Sequence, residues 1–292
     1  MDHKERRRWC EEISKINSRI NGRTPKQSKA SRGEIPFASK ITPRYTWEDI
    51  VLSADKKEQL REICNYVKHY PKVYEDWGFE KHSSAMSLQV LFAGPSGTGK
   101  TMAAEIIASD LKLNMYKIDL SMVVSKYIGE TEKNLNRIFE AAEECNVILF
   151  FDEADALFGK RSEVRDSHDR YANVEINYLL QKMEEHKGIT ILATNTRKNV
   201  DDAFLRRMNF IVEFPFPTPK YRHAIWKKTF PEQTALENID FAKLSKMKIT
   251  GGNIKNIALN AAFMAAENSN KISMDHIAKA AKREFRRIGK VN

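Results

Sequence analysis

Apolar residues recur along the chain with two different periods, and the change between these periods divides the sequence into predicted strands and helices. Short apolar runs indicate five buried strands, at Leu88–Ala93, Asn114–Ile118, Val147–Asp152, Ile189–Thr194 and Phe210–Phe214. Helical spacing fills the segments between them, near Lys100–Leu111, Thr131–Glu144 and Tyr171–Glu185. Strands that alternate with helices predict an α/β fold in which a mostly parallel sheet is sandwiched by helices.

A proline-rich segment ends this alternation. The segment Phe214–Pro219 contains three prolines, and only helical patterns follow, at Tyr221–Thr229, Phe241–Met247, Asn253–Asn268 and Ser273–Ile288. Because proline cannot continue a helix and restricts the residue before it, such a segment is typical of a boundary. We therefore predict a large α/β domain over residues 41–217 and a small all-helical lid domain over residues 218–292.

The first forty residues have a pattern of their own. Helical spacing of four apolar residues indicates an amphipathic helix, on Trp9, Ile13, Ile16 and Ile20. Residues 21–40 have the Lys-, Ser-, Arg- and Gly-rich composition of a flexible linker. We expect the helix to pack on the rest of the protein, on a neighbouring subunit or on a partner. Its basic face also permits contact with an anionic membrane surface, which we weight less.

Composition narrows the class of protein. Apolar runs such as Val147–Phe151 are far shorter than the roughly 20 residues that a membrane-spanning helix needs, so we expect no membrane insertion. No apolar signal-peptide segment follows the charged N-terminus, and Cys10, Cys64 and Cys145 form no C-x-x-C pair. These features predict a cytoplasmic protein without a disulfide framework.

The net charge of +10 is concentrated at the two ends. Residues 1–40 carry +6 and residues 271–292 carry +5, which leaves −1 for the rest of the chain. Basic ends can bind nucleic acid, although a solvated face is the more common role of such charge. The last predicted helix also carries an apolar stripe, on Ile277, Ala281, Phe285 and Ile288. We therefore do not expect nucleic acid to be a partner.

A glycine-rich loop joins the first of the five strands to the helix after it. It reads Gly94-Pro95-Ser96-Gly97-Thr98-Gly99-Lys100-Thr101, the Walker A pattern, and Met102 continues the helix. Glycines let backbone N–H groups turn around phosphates, and the helix N-terminus adds partial positive charge. Lys100 is expected at the β- and γ-phosphates and the Thr101 hydroxyl at Mg²⁺. The context predicts a P-loop NTPase (RecA-like) sheet that binds a nucleoside triphosphate.

Polar residues end two further strands. The run Val147–Phe151 leads into Asp152 and Glu153, the Walker B pattern, in which Asp152 positions Mg²⁺ and Glu153 orients and deprotonates the attacking water. Asn195 ends another strand, where it can hydrogen-bond the γ-phosphate or the water, or simply cap the strand. These parts are sufficient for the hydrolysis of ATP.

Four blocks in this order resemble the AAA family of ATPases: the Walker A loop, Asp152–Phe158, Ala193–Asn195 and Asp201–Arg207. The resemblance runs from about Ile41 to the C-terminus. The chain is most similar to the protein-remodelling branch, because the arginine that many other branches carry near Thr250–Ile254 is absent.

Three further blocks resemble the AAA ATPases that accompany bacterial and phage-tail-like contractile injection systems. They are Tyr74–Phe79, Gly159–Val164 and Asp166–Asn173. The family resemblance implies a homo-oligomer, usually a hexameric ring, with ATP at the subunit interfaces.

An arginine finger is also implied by the resemblance. Arg207 matches the residue that reaches the γ-phosphate of a neighbouring subunit, and Arg206 is the competing choice. The usual Pro-Gly between the two arginines is absent, and Phe210 stands where a second finger often lies. We therefore expect one finger rather than two.

The resemblance implies contacts to a polypeptide and to the adenine base. The first pore loop of the family matches three consecutive residues, Lys126, Tyr127 and Ile128. Tyr127 would grip an extended polypeptide through shape and apolar area; packing in the core is the alternative. Gly252 would let the lid approach the adenine, with Asp49 and Ile50 on the other side of the base.

Three functions from different classes follow. The leading hypothesis is a Mg²⁺-dependent ATPase ring that remodels, threads or disassembles protein substrates. The short segment before the ATPase body motivates a second hypothesis, an accessory protein that uses ATP as an assembly switch. A nucleic-acid-dependent ATPase is the weakest, and it rests on basic residues of the last helix, Lys279, Lys282, Arg283, Arg286 and Arg287.

Overall fold

A six-stranded sheet forms the centre of the protein. The computed structural model describes residues 35–79, 87–124, 129–143, 147–156, 167–197, 200, 202–268 and 270–289. The strands are β1 (Ala38–Ile41), β2 (Leu88–Ala93), β3 (Asn114–Asp119), β4 (Val147–Asp152), β5 (Ile189–Thr194) and β6 (Phe210–Glu213). Their spatial order is β1-β3-β4-β5-β2-β6, and every pair is parallel except β1 with β3. The predicted α/β fold with a mostly parallel sheet is confirmed.

Helices and short turns connect these strands. The helices are α1 (Ala54–Pro71), α2 (Lys100–Leu111), α3 (Leu120–Val123), α4 (Glu130–Glu143), α5 (Ser167–Glu185) and α6 (Asp202–Leu205). A π-helical turn, Lys72–Asp76, follows α1, and a 3₁₀ turn, Ala154–Ala156, follows β4. Local sequence sets the ends: the Ser53 hydroxyl caps α1 by accepting from Lys56 N, and Lys112 ends α2 in a left-handed conformation.

Hydrophobic side chains fill both faces of the sheet. On one face, Leu149 and Phe151 of β4 belong to a buried cluster with Ile138 of α4 and Leu180 of α5. On the other face, α2 packs against β3, β4 and β5, and α1 packs against α2. Parallel strands buried on both faces are expected to be apolar throughout, and β2 and β5 are buried at every position.

Residues after the prolines form a second hydrophobic cluster. Their elements are α7 (Pro219–Thr229), β7 (Leu236–Glu237), α8 (Phe241–Ser245), α9 (Gly251–Asn268), β8 (Ile272–Ser273) and α10 (Met274–Arg287). The cluster contains the fully buried Trp226 of α7, with Leu244, Ile257 and Ile277 from three other helices. Its strands β7 and β8 form a parallel pair that the sequence pattern did not indicate.

Two buried charges tie these C-terminal helices together. The guanidinium of Arg222 donates from Nε to the Ser245 carbonyl at 2.8 Å and from Nη1 to the Pro217 carbonyl at 2.6 Å. The Glu284 carboxylate accepts from Asn253 Nδ2 at 2.8 Å and from the Arg287 guanidinium at 2.6 Å. Hydrogen bonds from Arg287 and Asn253 lower the pKa of Glu284, although burial opposes them.

Within the ranges given above, no helix is both long enough and apolar enough to cross a membrane. The strand β1 begins at Ala38, inside the segment expected to be a linker, and it pairs with β3 at the edge of the sheet. The proposed division at residue 217 stays a prediction.

Candidate functional site

The glycine loop leaves the sheet at its carboxyl edge, between the ends of β5 and β6. Gly94 N donates to the Thr194 carbonyl at 3.1 Å, and Phe214 N donates to the Ala93 carbonyl at 2.7 Å. The Gly94 backbone lies at φ 148°, and a Cβ atom there would overlap the carbonyl oxygen of Phe214. Glycine is therefore required where the loop begins, because two backbones meet at that point.

Lys100 lies at the centre of this edge and points back into the loop. Its ammonium donates to the Gly94 carbonyl at 2.5 Å, to the Pro95 carbonyl at 3.2 Å and to Asn195 Oδ1 at 3.0 Å. Burial lowers the pKa of Lys100, while the negative charges of Asp152 and Asp155 oppose this shift. The structure thus brings together the Walker A lysine and Asn195, two residues 95 positions apart.

Asp155 holds Asn195 in place, and sequence reasoning assigned it no role. Its carboxylate accepts from Thr194 Oγ1 at 2.6 Å and from Asn195 N at 2.7 Å. These bonds fix the backbone from which the Asn195 side chain reaches Lys100. Asp155 could have been found from the sequence, because it is an acid three positions after Asp152 within the block Asp152–Phe158 that resembles the AAA family.

The two Walker B acids differ in geometry. Glu153 adopts a left-handed backbone at φ 54°, which costs a non-glycine residue roughly 1–3 kcal/mol, and its N–H donates to Asp152 Oδ1 at 3.0 Å. Asp152 Oδ2 lies 2.7 Å from the ammonium of Lys117, a β3 residue that sequence reasoning also missed. The Glu153 side chain is exposed to solvent.

These residues fit ATP with Mg²⁺. The Thr101 hydroxyl at the start of α2 and the Asp152 carboxylate are oxygen donors, which Mg²⁺ prefers. The loop backbone precedes the N-terminus of a twelve-residue helix, a favourable position for phosphate. A Cβ atom on Gly97 would lie 2.6 Å from Thr250 Oγ1, so the absence of a side chain lets Thr250 approach the loop closely. The residues from Ser96 to Met102 would surround the phosphates.

The C-terminal helices contact the same loop from outside. Gly252 N, at the start of α9, donates to the Gly97 carbonyl at 2.9 Å. A Cβ on Gly252 would lie 3.1 Å from Gly97 Cα, which is closer than side chains normally approach. The N-terminal turn of α9 is held by Asn253 Oδ1, which accepts from Thr250 N at 3.1 Å and from its hydroxyl at 2.8 Å.

The segment before α1 lies on another side of the loop. Ile50 is buried, and its Cδ1 would be 3.8 Å from a Cβ placed on Gly99. The Asp49 carboxylate accepts from the N–H of Thr46 at 2.7 Å and from its hydroxyl at 2.9 Å, so it stabilises a local turn. Lys228 of α7 donates to the Glu48 carbonyl next to this turn. The roles of Asp49, Ile50 and Gly252 at the adenine stay predictions.

The two candidate finger arginines lie at the other end of the sheet. They come just before Asn209, whose side chain accepts from Gln89 N at the amino end of β2. The phosphate loop starts after the carboxyl end of β2, and a six-residue strand spans roughly 20 Å. The structure therefore does not bring Arg207 together with Lys100 of the same chain.

Arg207 and Arg206 also differ in their partners. Arg207 Nε lies 3.3 Å from Glu184 Oε1 of α5, and both side chains are about half exposed. Among the residues that the structure describes, the Arg206 side chain forms no ion pair. The pore-loop residues Lys126, Tyr127 and Ile128 lie outside the described residues, as does Asp201.

Comparison with known proteins agrees with this geometry. Residues 90–216 match the ATPase family associated with various cellular activities (AAA), and residues 1–41 match a family of unknown function, DUF6760. The chain is 31% identical over 242 residues to an uncharacterized AAA family ATPase of Sinorhizobium fredii, an alignment that covers 77% of this chain and 72% of the relative.

Two archaeal proteins show a similar level of identity. The proteasome-activating nucleotidase of Saccharolobus solfataricus is 29% identical over 248 residues, which cover 82% of this chain and 62% of that protein. The proteasome-activating nucleotidase of Methanopyrus kandleri is 29% identical over 252 residues, which cover 83% and 57%. The chain therefore spans less than two thirds of the length of either nucleotidase.

Proposed function

Because the chain belongs to the AAA family of ATPases, it hydrolyses ATP with Mg²⁺, and we propose that it does so as one subunit of a ring that remodels, threads or disassembles protein substrates. AAA proteins typically form oligomeric rings. One observation carries the proposal: the phosphate-binding groups and the finger arginines lie at opposite ends of β2. A complete catalytic site then requires a second subunit.

Within one subunit, each polar residue at the carboxyl edge has a distinct task. Lys100 binds the phosphate oxygens, and it exchanges its carbonyl partners for them as ATP enters. Asn195, positioned by Asp155, orients the attacking water, and Glu153 accepts the proton of that water. Mg²⁺ held by Thr101 and Asp152 would neutralise charge on the phosphates.

Arg207 supplies positive charge from the neighbouring subunit. Its present partner, Glu184, is half exposed, and exposed ion pairs contribute only about 0–1 kcal/mol. The guanidinium can therefore leave this partner at little cost when a γ-phosphate is near. An arginine supplied in this way can raise turnover by about 10³–10⁵.

The substrate in this proposal is an extended polypeptide. The proteasome-activating nucleotidases, whose name links them to a protein-degrading machine, support this class of substrate. Tyr127 in the proposed pore loop would contact the polypeptide, with Lys126 and Ile128 beside it. The narrower resemblance to ATPases of contractile injection systems supports a component of such an apparatus as the protein that is remodelled.

An assembly switch is the second candidate function. The hydrogen bond from Gly252 to Gly97 favours it, because this bond links the C-terminal helices directly to the phosphate loop. A nucleotide that moves Gly97 would then move α9, and the oligomer would respond without repeated turnover. Nucleotide-dependent assembly with negligible hydrolysis would favour this function over the ring motor.

Mixing two inactive variants tests the shared site. Lys100→Ala removes phosphate binding but keeps the finger, whereas Arg207→Ala keeps phosphate binding but lacks the finger. Each variant alone should be inactive, and their mixture should regain part of the ATPase rate at interfaces that pair an intact loop with an intact finger. Arg206→Ala serves as the matched control and should behave like wild type. A wild-type rate in Arg207→Ala together with an inactive Arg206→Ala would move the finger to Arg206. A mixture that stays inactive, or wild-type rates in both arginine variants at every protein concentration, would contradict the shared site.

A further inference from the structure

Asp152 carries an ion pair that the Walker B pattern does not require. The Lys117 ammonium lies 2.7 Å from Oδ2, and the other oxygen, Oδ1, accepts from Glu153 N at 3.0 Å. Both oxygens of the proposed Mg²⁺ carboxylate therefore have a partner within the chain. We propose that Lys117 competes with Mg²⁺ for Asp152 and thereby sets the Mg²⁺ concentration at which the site binds ATP.

Strand register explains why this lysine reaches this carboxylate. Lys117 pairs with Phe150, and Asp119 pairs with Asp152, so Lys117 lies two positions before Asp152 along parallel neighbours. Side chains alternate along a strand, which places Lys117, Phe150 and Asp152 on one face. The alternate residues Tyr116 and Phe151 face the cluster that contains α4 and α5. The ion pair is therefore on the side that α2 covers, where Thr101 begins its helix.

Electrostatics gives the competition its sign. An ammonium in contact with Oδ2 neutralises negative charge on the carboxylate. A divalent cation that binds the same carboxylate is then attracted less strongly. Lys100 already brings one positive charge to the same edge. The Lys117 and Asp152 side chains are 37% and 21% exposed, so the pair is screened only in part. Removing Lys117 should therefore strengthen the binding of Mg²⁺ at Asp152. Removing a lysine that pairs with a different carboxylate should not.

The chain offers a closely matched control. Lys68 of α1 lies 2.6 Å from Asp110 Oδ2, and these side chains are 44% and 25% exposed. The pair has the same chemistry and similar exposure, but Asp110 lies near the last residue of α2, at the other end of the helix from Lys100. Lys68→Met changes the net charge as Lys117→Met does, without touching Asp152.

The measurement is a Mg²⁺ titration of nucleotide binding by the full chain, followed with a fluorescent, non-hydrolysable ATP analogue. Lys117→Met should lower the half-saturating Mg²⁺ concentration by about three- to tenfold, because the charge of Asp152 becomes available. Lys117→Arg restores the positive charge and should return the value towards that of wild type. Lys68→Met should leave it unchanged. Lys117→Gln is a second uncharged variant, for use if the methionine variant does not fold.

An unchanged or raised Mg²⁺ requirement in the uncharged Lys117 variants would overturn the proposal. An equal shift in Lys68→Met would do the same, since the effect would then be one of net charge. The inference rests on the assignment of Asp152 to Mg²⁺, and the wild-type titration tests that assignment separately. If nucleotide binding by the wild-type protein does not depend on Mg²⁺, the assignment of Asp152 to Mg²⁺ is wrong. This outcome does not depend on whether the protein forms a ring.

Discussion

Lys100 and Arg222 are both buried cations whose closest partners are backbone carbonyls, yet they lie in different surroundings. Lys100 is 7% exposed and reaches two carbonyls of the glycine loop and the Asn195 amide oxygen. Arg222 is 4% exposed and reaches the carbonyls of Pro217 and Ser245. Burial lowers the pKa of both side chains. Their geometry alone does not distinguish a binding group from a structural one.

The difference lies in what else surrounds each charge. The glycines around Lys100 leave room for phosphate, and Asp152 and Asp155 lie within electrostatic reach. The Ser245 carbonyl belongs to the last residue of α8, and the Pro217 carbonyl lies just before α7. No carboxylate shifts the pKa of Arg222. A buried cation beside room for a ligand can exchange its carbonyl partners for that ligand, whereas a buried cation enclosed by helix ends can only hold its partners. Substitution at the two regions should therefore separate activity from stability.

The largest expected effect is on turnover at the carboxyl edge. Glu153→Gln should reduce the ATPase rate by about 10²–10⁴, because the amide cannot accept the proton of the water. Binding of ATP should persist, and thermal unfolding should change little, since Glu153 is exposed. Steady-state hydrolysis and equilibrium nucleotide binding check the two parts. Normal turnover in this variant would remove Glu153 from the role of base.

Arg222→Met should produce the largest loss of stability, about 2–4 kcal/mol, because two buried carbonyls lose their donors. Urea unfolding measures the change. At low denaturant and temperature the folded fraction should still bind nucleotide, which would place Arg222 on the structural side of the comparison. A stable Arg222→Met protein that does not bind ATP would reverse that conclusion.

Lys100→Met should have the opposite profile. Nucleotide affinity should fall by about 100-fold, the equivalent of one or two lost charge-assisted hydrogen bonds. Stability without nucleotide should be equal or slightly higher, because the variant no longer buries a charge. Binding titrations and thermal melts on one preparation give both values. A destabilised Lys100→Met protein would mean that the loop, like the C-terminal helices, needs its cation for folding.

The smallest expected effect is on the free energy of unfolding at low pH, and it comes from the buried side chain of His186. His186 is buried, neither ring nitrogen has a hydrogen-bond partner in the described part of the chain, and burial lowers its pKa to about 4. The unfolded chain binds this proton near pH 6.5, so stability should be full above pH 6.5 and should be lost as the pH falls towards 4. Between pH 6.5 and 5 the loss should be about 2 kcal/mol. Urea unfolding of His186→Leu across this range should lack that part of the slope; an equal slope would assign it to other groups.

Sequence reasoning located the strands well because β4 is an uninterrupted apolar run with a polar end and β2 and β5 are mostly apolar, with Gln89 and Thr190 as their interior polar residues. It missed β7 and β8, which at two residues each are too short to show a period, and β1, whose sequence ASKI lacks the apolar run that marks the equally short β6. The glycine loop and Asn195 each follow a predicted strand. Because the carboxyl ends of parallel strands lie at one edge of the sheet, this position predicted that the two would be close together.

Contacts between distant residues were beyond such reasoning. Asp155 and Lys117 act on residues 40 and 35 positions away, and the strand register that joins them is not visible in local pattern. The choice between Arg206 and Arg207, and the roles of Lys126, Tyr127 and Ile128, stay predictions, because a neighbouring subunit or a substrate would decide them.

The contact between Gly94 and Phe214 has a mechanical consequence. Phe214 precedes the first proline of the segment that leads into the C-terminal helices, and its backbone is bonded to the root of the phosphate loop. If these helices swing during the ATP cycle, their pivot adjoins the first residue of the phosphate loop. A small displacement of the loop would then occur close to the pivot. The ends of α9 and α10 that lie farthest from the pivot would move by the largest distance. The first glycine of the loop, Gly94, would then lie at the pivot of that motion as well as at the start of the nucleotide site.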